Sequence, residues 1–178
     1  MIHYHNLQRG KMDMNEKLLK IRKEIKRKLK DNFWLFSDDG ILWDGESKVF
    51  FVAEVPSRGT KPGNLNTLIY LLKNYGLEGV YITDLIKKNN LDSITVKKLE
   101  KSFWELDSNI HRDILEMEIK EVSPRLIVAI GNRVERVLRS PKFMRDIPVE
   151  KIRHYSQTNR KELEKEIDRI SRIYYRLK

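Results

Sequence analysis

The chain has no cysteine among its 178 residues. Disulfides, thiolate metal sites, iron–sulfur clusters and a cysteine nucleophile are therefore all excluded. No apolar stretch approaches the roughly 20 residues that a membrane-spanning helix requires. The opening Met1-Ile2-His3-Tyr4-His5-Asn6 lacks the apolar core of a secretion signal. There is no Gly-x-Ser-x-Gly elbow, no glycine-rich dinucleotide fingerprint, no internal repeat and no low-complexity linker. These absences leave a single domain over residues 13–178, preceded by a loose leader over 1–12. A cytoplasmic monomer is expected, with no cofactor and no resident metal. His3 and His5 are close enough to share a metal, but a flexible terminus favours adventitious binding.

Lysine and arginine are abundant. They number 36 against 26 acidic residues, a formal net charge of +10, and the sequence pI is about 9.7. Such an excess favours a polyanionic partner, because neutralising phosphates releases condensed counterions. The competing explanation is a solvated, charge-rich surface. The apolar fraction of 40% is ordinary for a folded soluble chain.

The pattern along the chain alternates strands with helices. Asp13 and Glu16 form a capping-box pair opening a helix to about Lys30, with Leu18, Ile21, Ile25 and Leu29 on one face. A hairpin is expected from Phe33 to Trp43, turning at Ser37-Asp38-Asp39-Gly40. The first core strand starts at Val49. A loop from Pro56 to Asn64 precedes a helix carrying Leu65, Leu68, Ile69 and Leu72, stopped at Gly76. Strand two spans Gly79 to Thr83. A helical region from Thr95 to Val122 is broken near Asp107-Ser108-Asn109. Strand three is Leu126 to Ile130, followed by a helix from Asn132 to about Arg139. Strand four is Val149 to Arg153, and a charged helix from Asn159 closes the chain. This order predicts a three-layer α/β/α fold around a four-stranded, mostly parallel sheet.

In such a sheet, ligands bind outside the carboxyl ends of the strands. Four chemically competent segments arrive there: Glu54-Val55-Pro56-Ser57, Asp84, Gly131-Asn132 and His154-Tyr155-Ser156. Glu54 can orient a water or face a developing cation, or it can simply cap a helix or brace its loop. His154 can hydrogen-bond an oxyanion or act as acid or base, or it can be structural. A Ser–His–Asp set of Asp84, His154 and Ser156 or Ser57 is poorly supported without the elbow. Gly131-Asn132 forms a strand-to-helix turn able to present amides to an anion.

Taken in order, these segments resemble the uracil-DNA glycosylase superfamily. Val52-Ala53-Glu54-Val55-Pro56-Ser57 is similar to its Gly-Glu-Ala-Pro-Gly motif, and Tyr81-Ile82-Thr83-Asp84-Leu85-Ile86-Lys87 to its Ile-Thr-Asn-Val-Val-Lys segment. Glu121-Val122-Ser123-Pro124-Arg125-Leu126-Ile127-Val128-Ala129-Ile130-Gly131-Asn132 resembles its strand ending in Leu-Gly-Asn. His154-Tyr155-Ser156-Gln157-Thr158-Asn159-Arg160 matches His-Pro-Ser-Tyr-Leu-Leu-Arg at its histidine, serine and arginine. The likeness spans roughly residues 49–160.

The resemblance implies hydrolysis of the N-glycosidic bond of a flipped base in DNA. Glu54 would orient water and His154 would hold the base oxyanion. Pro56, Asp84, Gly131, Asn132 and Tyr155 would contact the base, and Ser57, Arg58, Ser156 and Arg160 the phosphates. Cationic character on the sugar calls for a carboxylate, and charge on the departing base for a donor.

The chain departs from the pattern at Asp84, where the family has an asparagine, and at Tyr155, where it has a proline. The loop after Glu54 lacks the stacking phenylalanine, and the cluster cysteines of this branch are missing. An ionised Asp84 only accepts hydrogen bonds. It would accept from uracil N3–H but repel O4, suit an amino-bearing base, or act while protonated. Two alternatives stay open: a catalytically inactive nucleic-acid-binding protein of the same fold, and a hydrolase of free nucleosides or nucleotides.

Overall fold

A computed structural model of the chain describes residues 16–30, 33, 35, 43–54, 62–88, 91–105, 109–143 and 146–177. Ten elements are found among them: α1 Glu16–Leu29, β1 Val49–Ala53, α2 Pro62–Asn74, β2 Tyr81–Asp84 and α3 Ser93–Lys101. They continue as α4 Ile110–Val122, β3 Leu126–Ile130, α5 Asn132–Leu138, β4 Val149–Ile152 and α6 Arg160–Arg176. The four strands form one wholly parallel sheet in the order β2-β1-β3-β4. The three-layer α/β/α architecture expected from the sequence is therefore the one observed.

Strand alternation makes the three layers. Phe50, Val52, Tyr81, Ile127 and Ala129 point to one face, where they pack with Ile21 and Ile25 of α1, Ile114 and Ile119 of α4, and Val134 of α5. Their neighbours Val49, Phe51, Ile82, Leu126, Val128 and Ile130 point to the other. There they meet Leu68 and Leu71 of α2 and Leu163, Ile167 and Ile170 of α6. β1 and β3 are buried at every position, as strands covered on both faces must be.

Several boundaries moved from expectation. α2 begins at Pro62, inside the segment read as loop to Asn64; proline's fixed φ suits the first helical position. The helical region is divided as expected: Asp92 caps α3, and Asn109 caps α4 by accepting from the His111 and Arg112 amides. Gly76 does end α2, at a positive φ of 68°. Of the expected hairpin, Phe33 makes an isolated antiparallel bridge to Lys88, and Trp43 lies outside any strand. Residues 36–42 lie outside the described residues. So does Asp13, while α1 ends at Leu29, close to the expected stop.

The connectivity sets the position of the site. From β1 the chain moves outward to β2 on one side, then returns to β3 on the other side of β1 and moves outward again to β4. The reversal puts the crevice between the carboxyl ends of β1 and β3. No helix among the described residues is long and apolar enough to cross a membrane.

Candidate functional site

Glu54 follows β1, Asp84 ends β2, Gly131 follows β3 and His154 stands two residues beyond β4. Parallel strands bring all four to one edge. Backbone bonds fix the strand ends: the Leu85 and Ile86 amides donate to the Ala53 and Glu54 carbonyls at 2.7 and 3.0 Å, and the Gly131 amide donates to the Ile152 carbonyl at 2.8 Å. Gly131 has φ 96° and ψ 160°, a conformation essentially confined to glycine.

Glu54 is half-buried and accepts from Arg133 Nη1 of α5 at 2.7 Å. Glu100 of α3 also approaches the Glu54 carboxyl. Burial, and then the adjacent Glu54 carboxyl, push Glu100 up to about 7; Arg133 and Arg136 oppose the rise. Glu100 Oε1 is shielded from solvent with no hydrogen-bond donor among the described residues. Two ionised carboxylates offer each other only acceptors, so a proton held by Glu100 supplies the missing donor. Glu54, Glu100 and Arg133 thus form a carboxyl pair capped by a guanidinium.

His154 favours its neutral form. Burial lowers its pKa, against a smaller pull upward from Glu54. Its Nδ1 lies 3.3 Å from the Ser156 amide and 2.7 Å from the Ser156 hydroxyl. A backbone amide can only donate, so Nδ1 is the acceptor and the ring proton sits on Nε2. The ring stacks on Tyr155, with centroids 4.6 Å apart and planes 26° from parallel. Tyr155 is only 7% exposed and belongs to the core beneath α6. It serves as the backing plate of the histidine.

Asp84 is 2% exposed and sits at the top of a buried polar network. Beneath it, Lys87 Nζ lies 2.8 Å from Glu118 Oε2 with both side chains fully buried. Lys87 also donates to the Asp84 carbonyl. Tyr81 and Thr83 hydroxyls both donate to Glu118 Oε1 at 2.9 Å. His111 Nδ1 accepts from the Lys87 amide at 3.3 Å, and burial, then Lys87 and Lys88, depress that ring to about 4. Burial raises Asp84 to about 7, with Lys87 opposing and Glu118 assisting. At neutral pH a sizeable share of Asp84 is protonated, and that form both donates and accepts.

The other expected contacts are distributed differently. Asn132 is exposed, and its Oδ1 accepts from Lys151 Nζ at 3.1 Å. Ser156 spends its hydroxyl on His154. Arg160 places its guanidinium 4.9 Å over the Tyr70 ring of α2. Pro56, Ser57 and Arg58 lie outside the described residues.

Sequence reasoning missed Glu100, Arg133, Lys87, Glu118 and His111. Glu118 carried a readable signal: it occupies the apolar stripe Ile114, Leu115, Ile119 and Val122, where a charge must find a buried partner. Glu100 likewise follows Val96 by one helical turn on α3. No protein-family model matches the chain, and no curated protein matches it significantly.

Proposed function

We propose that this protein hydrolyses the N-glycosidic bond of a flipped, damaged or deaminated base in DNA, with a uracil-type lesion as the first candidate. The observation that carries the proposal is the pairing at one sheet edge of a carboxylate with a neutral histidine whose Nε2 carries the proton. Glu54 supplies negative charge for the oxocarbenium-like sugar and an acceptor to orient water. His154, fixed by Ser156 through Nδ1, offers Nε2–H to the oxygen of the departing base. A neutral donor suits this task because it stabilises the anion without first giving up its proton. The ordered likeness of four segments to the uracil-DNA glycosylase superfamily supports the same reading.

By the same resemblance Asp84 stands at the base-edge position, with its side chain 2% exposed beneath the crevice. Its raised pKa answers the objection that an anion would repel a carbonyl, since the protonated carboxyl presents a donor and an acceptor as an amide does. Glu100 adds a proton reservoir beside Glu54, and Arg133 holds the pair in place.

The 2.7 Å ion pair of Arg133 with Glu54 favours a second reading, a nucleic-acid-binding protein without turnover. A carboxylate engaged by a guanidinium has fewer lone pairs for water. The test is strand cleavage by alkali after incubation with labelled single- and double-stranded DNA carrying uracil, hypoxanthine, xanthine or a mismatched base. Abasic sites at one lesion identify the substrate. Binding with no abasic product in any arm favours the second reading.

A further inference from the structure

Beside Glu54 and Glu100, the surface between α3 and α5 opens into a groove of about 430 Å³. Ile94 and Val137 contribute apolar surface. Lys97, Lys98 and Lys101 rise from α3, and Arg133 and Arg136 from α5. All five cations are exposed. The groove's one carboxyl group, Glu100, is turned toward Glu54.

Several cations elsewhere are neutralised locally. Arg139 and Lys151 share Glu135, Arg153 takes Glu162 and Glu166, Arg169 takes Glu150 and Arg172 takes Asp168. Among the described residues, Lys97, Lys98, Lys101 and Arg136 have no carboxylate within ion-pair distance. Lys97 and Lys101 are also one turn apart on α3, a like-charge spacing that weakens a helix. A bound polyanion relieves that repulsion.

We propose that the α3–α5 groove carries the sugar–phosphate backbone of single-stranded DNA and delivers it to Glu54. The proposal rests on the reading of the site given above and adds the strand's path. The cations suit phosphates, while Ile94, Val137 and the lysine stems suit sugars and base faces. Ile94 is 65% exposed beside the cations, and such apolar surface suits the unpaired bases of a single strand, which a duplex keeps stacked inside.

The test is fluorescence anisotropy of the full chain with a labelled, lesion-free 20-nucleotide single strand and its duplex, over a salt series. The variants are Lys97→Gln/Lys101→Gln/Arg136→Gln and, at the opposite sheet edge, Lys120→Gln/Arg125→Gln. Circular dichroism and melting verify that each is folded. Wild type is expected to prefer the single strand. The triple variant is expected to bind about tenfold or more weakly at low salt, with a log–log salt slope smaller by about 2 (~0.7 for each of three lost contacts). The double variant should match wild type. An unchanged affinity and slope in the triple variant overturns the proposal, as does equal binding of the duplex, or no binding of the single strand by wild type. Base release is followed in parallel. Groove-dependent binding without release from any lesion preserves the groove and defeats the glycosylase reading. Release by wild type with groove-independent binding does the reverse.

Discussion

The Ser156 amide points at Nδ1 of His154 from 3.3 Å while the Ser156 hydroxyl lies 2.7 Å from the same atom. One residue therefore decides which nitrogen of the histidine carries the proton. Ser156→Ala removes the hydroxyl contact and keeps the amide, so the tautomer is retained but less firmly held. Base release is expected to slow by about tenfold or less, the worth of a single hydrogen bond. Long-range ¹H–¹⁵N spectra should still report Nε2–H in the variant. A dominant Nδ1–H form in wild type contradicts the assignment.

Glu54 and Arg133 act on the protonation of Glu100 in opposite directions, the carboxyl raising its pKa and the guanidinium lowering it. Removing the guanidinium in Arg133→Gln takes away the charge that favours ionised carboxyls. The acidic limb of a pH–rate profile should then move to higher pH. Stability should change by no more than about 1 kcal/mol, because Arg133 is exposed. An unshifted limb would place the titrating group elsewhere.

Stability should depend on pH in two opposing ways. Asp84 and Glu100 are each held near 7, so the folded chain keeps protons that the unfolded chain releases around pH 4. This stabilisation is complete below about pH 4 and is lost as pH rises through 7. His111 and His154 are lowered by burial, so stability from them is lost as pH falls below about 6.5. The two trends oppose each other between about pH 4 and 6.5, and the carboxyls act alone above that range. Melting temperature should therefore decline from pH 6.5 to 8, and the decline should flatten in Asp84→Asn/Glu100→Gln. A rising melting temperature over that interval in wild type would refute the protonation states assigned here.

The buried Lys87–Glu118 pair should be fragile to single substitutions. Lys87→Met leaves Glu118 charged among apolar side chains and two hydroxyls, at a cost of about 3–5 kcal/mol in urea unfolding. Lys87→Met/Glu118→Leu should recover part of that loss, since the paired charges go together while the Tyr81 and Thr83 hydroxyls lose their acceptor. A double variant as unstable as the single one would show that the pair's geometry, not its charge balance, supports β2.

Gly131→Ala forces a side chain onto φ 96°. The strain is of order 1–3 kcal/mol, and relief of it would shift the turn beside His154. The variant should lose stability and base release together. Unchanged thermal melting would deny that the turn is constrained.

Much of the architecture was legible because strand burial follows from local composition. The runs Val49–Ala53 and Leu126–Ile130 have no polar positions to expose, so a parallel sheet covered on both faces was the consistent solution. The site was legible where polar residues stand at or just beyond a strand's end, as Glu54, Asp84 and His154 do. Glu100 and Arg133 were not, because exposed-looking charges on amphipathic helices resemble any solvated face. Only the tertiary approach of α3 and α5 to the end of β1 separates them. Ser156 was visible as a candidate phosphate ligand, but its hydrogen bond to His154 depends on the turn after β4. The same turn buries Tyr155, which the family resemblance placed against the base.

The most direct experiment is single-turnover base release by wild type and Glu54→Gln on the best lesion-bearing strand, with DNA affinity measured for both. Glu54→Gln should slow release by about a hundredfold or more, the scale of a lost positioned carboxylate, and bind DNA as wild type does. Equal release rates for the two proteins would contradict the role given to Glu54 and, with it, the glycosylase reading.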